Sequence, residues 1–177
     1  GGIKMNNSKQ FEEIFVDTIG QLAESLGLNR IVGQIYAQLY LSNEPLSLDT
    51  LVEKLKVSKG NVSINIRELE KWNAVRRIYI RGDRKDYYEA NIDFLNVIYK
   101  RMKLRAERVL DELNLNMNKF NNKDFNKNCK DKLKPIKEIY EIFQNILRNL
   151  PEEISIEKLK KIISVFNTLR PLMKKNE

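Results

Sequence analysis

Hydrophobic residues recur along most of this chain at intervals of three and four, the period of one helix face. Phe11, Phe15, Ile19, Leu22 and Leu26 mark the first stripe and predict an amphipathic helix from about Ser8 to Leu26, ended by Gly27. Ile31, Ile35 and Leu39, joined by Tyr36 and Tyr40, repeat the pattern from Arg30 to Leu41, until "SNEP" and Pro45 break it. A third helix is expected in "SLDTLVEKL", with Ser47 as N-cap and Leu48, Leu51, Val52 and Leu55 turned inward. Only "KVS" separates Leu55 from a fourth, "SKGNVSINIRELEKW", capped by Ser58 and striped by Val62, Ile66 and Leu69. Two short helices joined by so few residues describe a helix-turn-helix.

After Trp72 the helical period ends, and Asn73 suits the left-handed residue that closes a helix. "VRRIYI" and "DYYEANI" place Val75, Ile78, Ile80, Tyr87, Tyr88 and Ala90 as strand formers on either side of the turn-prone "RGDRK". A helix-turn-helix followed by a basic-tipped hairpin is a winged helix. From Phe94 the helical period returns. Leu95, Ile98, Met102, Ala106, Val109, Leu113, Met117 and Phe120 follow an eleven-residue repeat, which predicts a nearly straight seam with slight right-handed coiling. Leu133, Ile136, Tyr140, Phe143, Leu147 and Leu150 form another stripe, and Ile154 to Met173 a third, with breaks near "NKFNNKDFNKN" and at Pro151. The expected fold is mainly α with a small β-hairpin. A winged helix-turn-helix domain with N-terminal helices would occupy residues 8–91, and long helices over 92–177 would form a dimerisation arm. Leu95, Ile98, Met102, Val109 and Leu113 are its candidate contacts; the alternative is that these helices pack only on each other within one chain.

Composition sharpens this picture. Of 177 residues, 42% are hydrophobic and 32% charged, enough apolar surface for a packed core. The net charge of +8 is uneven: residues 56–85 hold nine Lys/Arg against three Asp/Glu, residues 1–46 three against five. A concentrated positive surface points to a polyanion, with acidic membrane lipid as the rival partner. Cys129 is the one cysteine, so an internal disulfide is excluded and a reducing compartment is suited. With no histidine, a transition-metal site or a histidine relay is not expected. "RGDR" carries a single glycine and matches no phosphate-cradling loop, so no cofactor is expected and an enzyme is the minority reading. No apolar run reaches the roughly 18–20 residues that cross a bilayer, and no secretory segment opens the sequence, so a cytoplasmic location is the expectation.

The fourth helix carries the candidate chemistry. Its first turn contains Gly60, although glycine there costs roughly 0.5–1 kcal/mol relative to alanine. With Val62, Ile66 and Leu69 inward, Gly60, Ile64, Arg67 and Lys71 point outward, flanked by Asn61 and Ser63. Ser58, Lys59, Gly60 and Asn61 surround free N–H groups at the positive end of the helix, which attract phosphate. Lacking a Cβ, Gly60 would let a duplex backbone come close. Asn61 and Asn65 can pair bidentately with adenine, Ser63 can bond base or phosphate, and Ile64 would meet a thymine methyl. Arg67 and Lys71 would reach phosphate or a base edge. Taken singly, each of these also fits an ordinary solvated helix face. At the hairpin tip, Arg81 and Arg84 suit a minor groove and Lys85 the DNA backbone, with Asp83 expected to hold an arginine in place. Arg76 and Arg77, at the hairpin base, are open between structural and DNA-contacting roles.

"SKGNVSINIRELEKW", "VRRI" and "GDRKDYYEA", with the preceding "GLNRIVGQIYAQLYLSNEPLSLDTLVEKLKVS", resemble the GbsR-type branch of the MarR-like winged-helix transcription regulators. The likeness runs from about Gly27 to Ala90. It implies a homodimeric, sequence-specific regulator of double-stranded DNA, most often a repressor, on a pseudo-palindromic operator. Recognition residues would lie in Ser58 to Arg67, and the wing arginine would be Arg84 beside Asp83. Asn73 stands where this branch usually has glycine, and asparagine tolerates the same left-handed backbone. Some members answer to small osmolyte-related ligands such as choline, which an aromatic box would hold. The spacing of Tyr36, Tyr40, Trp72, Tyr79, Tyr87, Tyr88, Tyr99, Tyr140 and Phe143 singles out no such cage, so a small-molecule effector stays unidentified. Two other readings share the fold: an architectural nucleoid protein with little sequence preference, and an adaptor whose winged helix docks a protein partner.

Overall fold

Helix boundaries follow local stop signals in the computed structural model, which describes residues 2–119 and 127–173, apart from the side chains of 2–6, 119, 127–130, 169 and 171–173. Phe120 and residues 174–177 lie outside that range. The order is α1 (Gly2–Ser25), α2 (Arg30–Leu41), β1 (Leu46–Ser47), α3 (Leu48–Leu55), α4 (Lys59–Glu70), β2 (Val75–Ile78), β3 (Tyr87–Ala90), α5 (Phe94–Lys119), α6 (Lys127–Asn149) and α7 (Ile156–Met173). Gly27 follows α1 with φ 71°, and its N–H and that of Leu28 bond back to the carbonyls of Glu24 and Ala23. The α1 helix begins before the expected Ser8, since no glycine or proline interrupts residues 3–9. Ser47 and Ser58 cap α3 and α4 by accepting the N–H groups of Thr50 and Asn61. Lys56, between α3 and α4, and Asn73, after α4, both take positive φ, at 55°.

The chain divides into two compact units, Gly1–Val97 and Ile98–Glu177. The core of the first unit is one cluster. Val32, Ile35, Tyr36 and Leu39 of α2 meet Leu51 of α3, Val62, Ile66 and Leu69 of α4, Trp72, and Val75 and Tyr88 of the hairpin. Burying such side chains is worth about 1.5–3 kcal/mol each relative to exposure, which is what holds α4 at a fixed angle to α3. α1 closes over α2 at a glycine crossing. A Cβ on Gly33 would lie 2.3 Å from the Ile19 carbonyl oxygen and 2.7 Å from the Ala23 Cβ. Asp17 and Arg30 add an ion pair across the same crossing.

The hairpin is part of a three-stranded antiparallel sheet of order β1-β3-β2, one strand more than the pattern predicts. Val75 pairs with Ala90 and Ile78 with Tyr87, while Leu46 and Ser47 pair with Tyr88 and Tyr87. Two residues of β1, following Pro45, are too few to show a period, yet they tie the start of α3 to the wing. The Leu48 N–H also donates to the Asp86 carbonyl. Tyr36, Tyr40 and Phe94 pack ring on ring at 5.7–6.1 Å, and the Tyr36 hydroxyl donates to the Asn91 carbonyl. Burial pushes the Tyr36 hydroxyl's pKa well above its usual value. These three rings are part of the packing of the first unit.

In the second unit, the turn between α6 and α7 is fixed on α5. Tyr99 donates to the Pro151 carbonyl at 2.6 Å, and Lys100 and Lys103 pair with Glu153 and Glu152 at 2.9 and 2.8 Å. Much apolar surface in this unit stays open. Met102, Val109 and Leu113 are 54%, 47% and 43% exposed, and Ile136, Phe143, Ile162 and Phe166 are exposed as well. Leu95, in the first unit, and Ile98, in the second, are half-buried. No helix among the described residues is long and apolar enough to cross a membrane.

Candidate nucleic-acid interface

The α4 helix presents one face to the core and the other to solvent, because its apolar stripe is only three residues. Ser58, Lys59 and Gly60 are all exposed at its start. A Cβ built on Gly60 would meet nothing within 4 Å. Glycine is therefore not required here by packing, and its φ is not in the left-handed region. One turn later Ile64 is 67% exposed, an aliphatic side chain in water on the same face. Arg67 and Lys71 continue that face; the Arg67 guanidinium lies 3.4 Å from the Ser63 hydroxyl, and Lys71 pairs with Glu68 at 2.8 Å. Asn61 and Ser63 flank it, half-buried.

Asn65, a candidate for pairing with adenine, stands apart from that face. It is 7% exposed, and its Nδ2 donates to the Asn61 carbonyl at 2.8 Å and to the Asn61 Oδ1. Three steps of about 100° put position 65 only about 60° from Val62, on the inner flank of the stripe. Its amide is engaged within the helix, where it holds the Asn61 side chain.

At the hairpin tip, Arg81, Gly82, Asp83, Arg84 and Lys85 are all exposed, with Gly82 at φ 87°. Asp83 was expected to hold an arginine. It instead accepts the Lys85 backbone N–H at 2.9 Å and the Tyr87 hydroxyl at 2.8 Å. Those two bonds, the backbone one foremost, hold its carboxyl below the usual range. The acid braces the turn by an Asx-type bond, for which its short side chain is suited. At the hairpin base, Arg76 pairs with Glu89 and Arg77 with Asp86 across the strands. Arg77 also lies over the Tyr79 ring, 5.2 Å from its centre.

Two further residues stand on this surface. Tyr79, considered from the sequence only as an aromatic candidate for a ligand cage, is exposed beside Arg77. Asp49, in the first turn of α3, accepts a bond from Lys59 Nζ at 2.8 Å. The Ser47 cap marks Asp49 as a first-turn acid, but nothing local shows that it reaches the next helix. Among the described residues no group of acids and cysteine could hold a metal ion.

No family model matches the chain. The HTH-type transcriptional repressor GbsR of Bacillus subtilis is 31% identical over 86 residues, which are 49% of this chain and 47% of that protein. The putative HTH-type transcriptional regulator YvaV of the same organism is 29% identical over 86 residues, again 49% of each. The repressor OpcR, also of B. subtilis, is 28% identical over 83 residues, 47% of this chain and 45% of that protein. The chain spans about half the length of the curated relatives it matches. A crystal structure of a transcriptional regulator superimposes with TM-score 0.60 at 20% identity, covering 78% of this chain and 93% of the other. That likeness shows a common fold. Over about half its length this chain is similar to the HTH-type regulators GbsR, YvaV and OpcR, and it carries a winged helix-turn-helix.

Proposed function

We propose that this protein is a transcription regulator that binds double-stranded DNA as a homodimer, with α4 in the major groove and the hairpin tip in the minor groove. The observation that carries this is the bare, capped start of α4: Gly60 open to solvent, with Ile64 exposed one turn on. Ser58, Lys59, Gly60 and Asn61 would take a phosphate at the helix N-terminus. Asn61, braced by Asn65, and Ser63 would meet base edges, Ile64 a thymine methyl, and Arg67 and Lys71 phosphate or bases. Arg84 and Arg81 would enter the minor groove, with Lys85 on the backbone and Asp83 keeping the turn in shape. The curated relatives named as repressors make repression the expected sign of regulation, in the cytoplasm.

Exposed Met102, Val109 and Leu113 support a second copy as the cover for the C-terminal helices, with Leu95 and Ile98 at the start of the same stripe. A dimer would set two α4 helices in successive major grooves, about 34–36 Å apart. A small-molecule effector has no assigned site.

The test is selection of bound duplexes from a random pool. Enrichment of two inverted half-sites, with centres about one helical turn apart, is the expected result. Enrichment of nothing would favour an architectural protein, and recovery of no DNA at all would refute the proposal.

A further inference from the structure

The acid facing the DNA-binding surface suggests a restraint on it. Lys59 heads α4, where a phosphate is expected, yet its ammonium is 2.8 Å from the Asp49 carboxylate. Both side chains are largely in water, so this is an exchangeable surface pair and not a buried lock. Asp49 is placed by three independent features. Ser47 caps α3, β1 pairs with β3 next to it, and the Leu48 N–H is bonded to Asp86 at the foot of the wing. Its carboxyl is held below the usual range, first by the Lys59 hydrogen bond and then by that lysine's charge, with Lys85 of the wing tip adding to the same field. The charges facing Asp49 are therefore two of the cations the proposed function assigns to DNA.

We propose that Asp49 is a built-in competitor for DNA phosphate, which occupies Lys59 in the free protein and so limits non-specific binding. This rests on the DNA-binding function proposed above. A phosphate that approaches α4 must displace the carboxylate from Lys59; where it does not, the lysine stays paired with Asp49 and that phosphate keeps its counterion. On random DNA, where few other contacts form, that exchange weighs most. Non-specific affinity is set by the number of phosphates neutralised, so one lysine withheld is one counterion fewer released.

The experiment measures binding of the unaltered 177-residue chain, Asp49→Asn, Lys59→Ala and the double variant to one random-sequence duplex across a salt series. Asp49→Ser serves as a second neutral replacement, and thermal unfolding confirms that each variant is folded. Asp49→Asn and Asp49→Ser should tighten random-DNA binding by about two- to fivefold, the range of an exposed ion pair. The slope of log affinity against log salt should steepen by about one. In the Lys59→Ala background the same change should gain less than half as much on a logarithmic scale. Equal gains with and without Lys59 would show a generic charge effect and overturn the proposal, as would no gain at all. If wild type binds no DNA at low salt, the proposed function itself fails, a result distinct from either.

Discussion

Gly60 offers a substitution whose effects on folding and on binding have opposite signs. The residue lies in the first turn of α4, with helical backbone and open space where a side chain would stand. Alanine there removes backbone freedom from the unfolded chain and restores helix propensity, a gain of about 0.5–1 kcal/mol with no steric offset. For a chain of this length that raises the unfolding temperature by about 1–4 °C. In a DNA complex the added carbon stands between the helix N-terminus and the phosphate. Loss of one charge-assisted backbone bond costs about 1.5–3 kcal/mol, so affinity falls about tenfold to a hundredfold. Gly60→Leu, a good helix former with a longer side chain, should hold helix stability and weaken binding further. Thermal unfolding and fluorescence anisotropy of a labelled duplex, at one salt concentration, read the two effects on the same samples. A Gly60→Leu protein that is as stable as wild type and binds DNA equally well would refute the idea that glycine is there to admit the duplex.

Gly33→Ala should do the reverse, lowering stability by about 1–3 kcal/mol despite better helix propensity, because its Cβ meets the Ile19 backbone at 2.3 Å; thermal unfolding reads this directly. Asn65→Ala should lower stability by about 1 kcal/mol through the lost bonds to Asn61. Its DNA effect should match that of Asn61→Ala at the same base pair, since one residue positions the other. Arg84→Ala should weaken binding to operator and random duplexes alike and reduce the salt slope by about one, as read by anisotropy. The carboxyls of Glu12, Asp83, Glu152 and Glu157 are held below their usual range, Glu12 by Lys54 and Glu152 by Lys103. Groups with depressed values stabilise the fold above their ordinary pKa of 3.8 or 4.5 and lose that contribution as pH falls through the depressed value. With no histidine in the chain, the unfolding temperature should be flat from about pH 5.5 to 8 and drop below about 4; a step between pH 6 and 7 would contradict this.

What could be read from the chain was local. Ser47 and Ser58 reveal helix starts because a cap needs only one side chain and an N–H three residues on. Gly27 and Asn73 reveal ends because a left-handed backbone favours those residues. The stripe Val62, Ile66 and Leu69 then fixes which side of α4 is free, so Gly60, Ile64 and Arg67 were placed correctly. The burial of Asn65 is not legible in that way, because an apolar stripe is wider than its apolar residues, and a polar side chain on its edge can turn back to the helix. β1 escaped because two residues show no alternation. The bond from Lys59 to Asp49 escaped for another reason. It depends on the angle between α3 and α4, which their shared core sets and no spacing encodes. The role of Gly33 is likewise a property of two helices meeting, not of either one.

The most direct test of the central claim is the ratio of affinities for a selected duplex and a random one, measured on the full chain at physiological salt. A ratio of about 10³ or more, reduced toward unity when Ile64 and Asn61 are changed to alanine, is the predicted result. A ratio near one for the unaltered protein would mean that α4 reads no sequence.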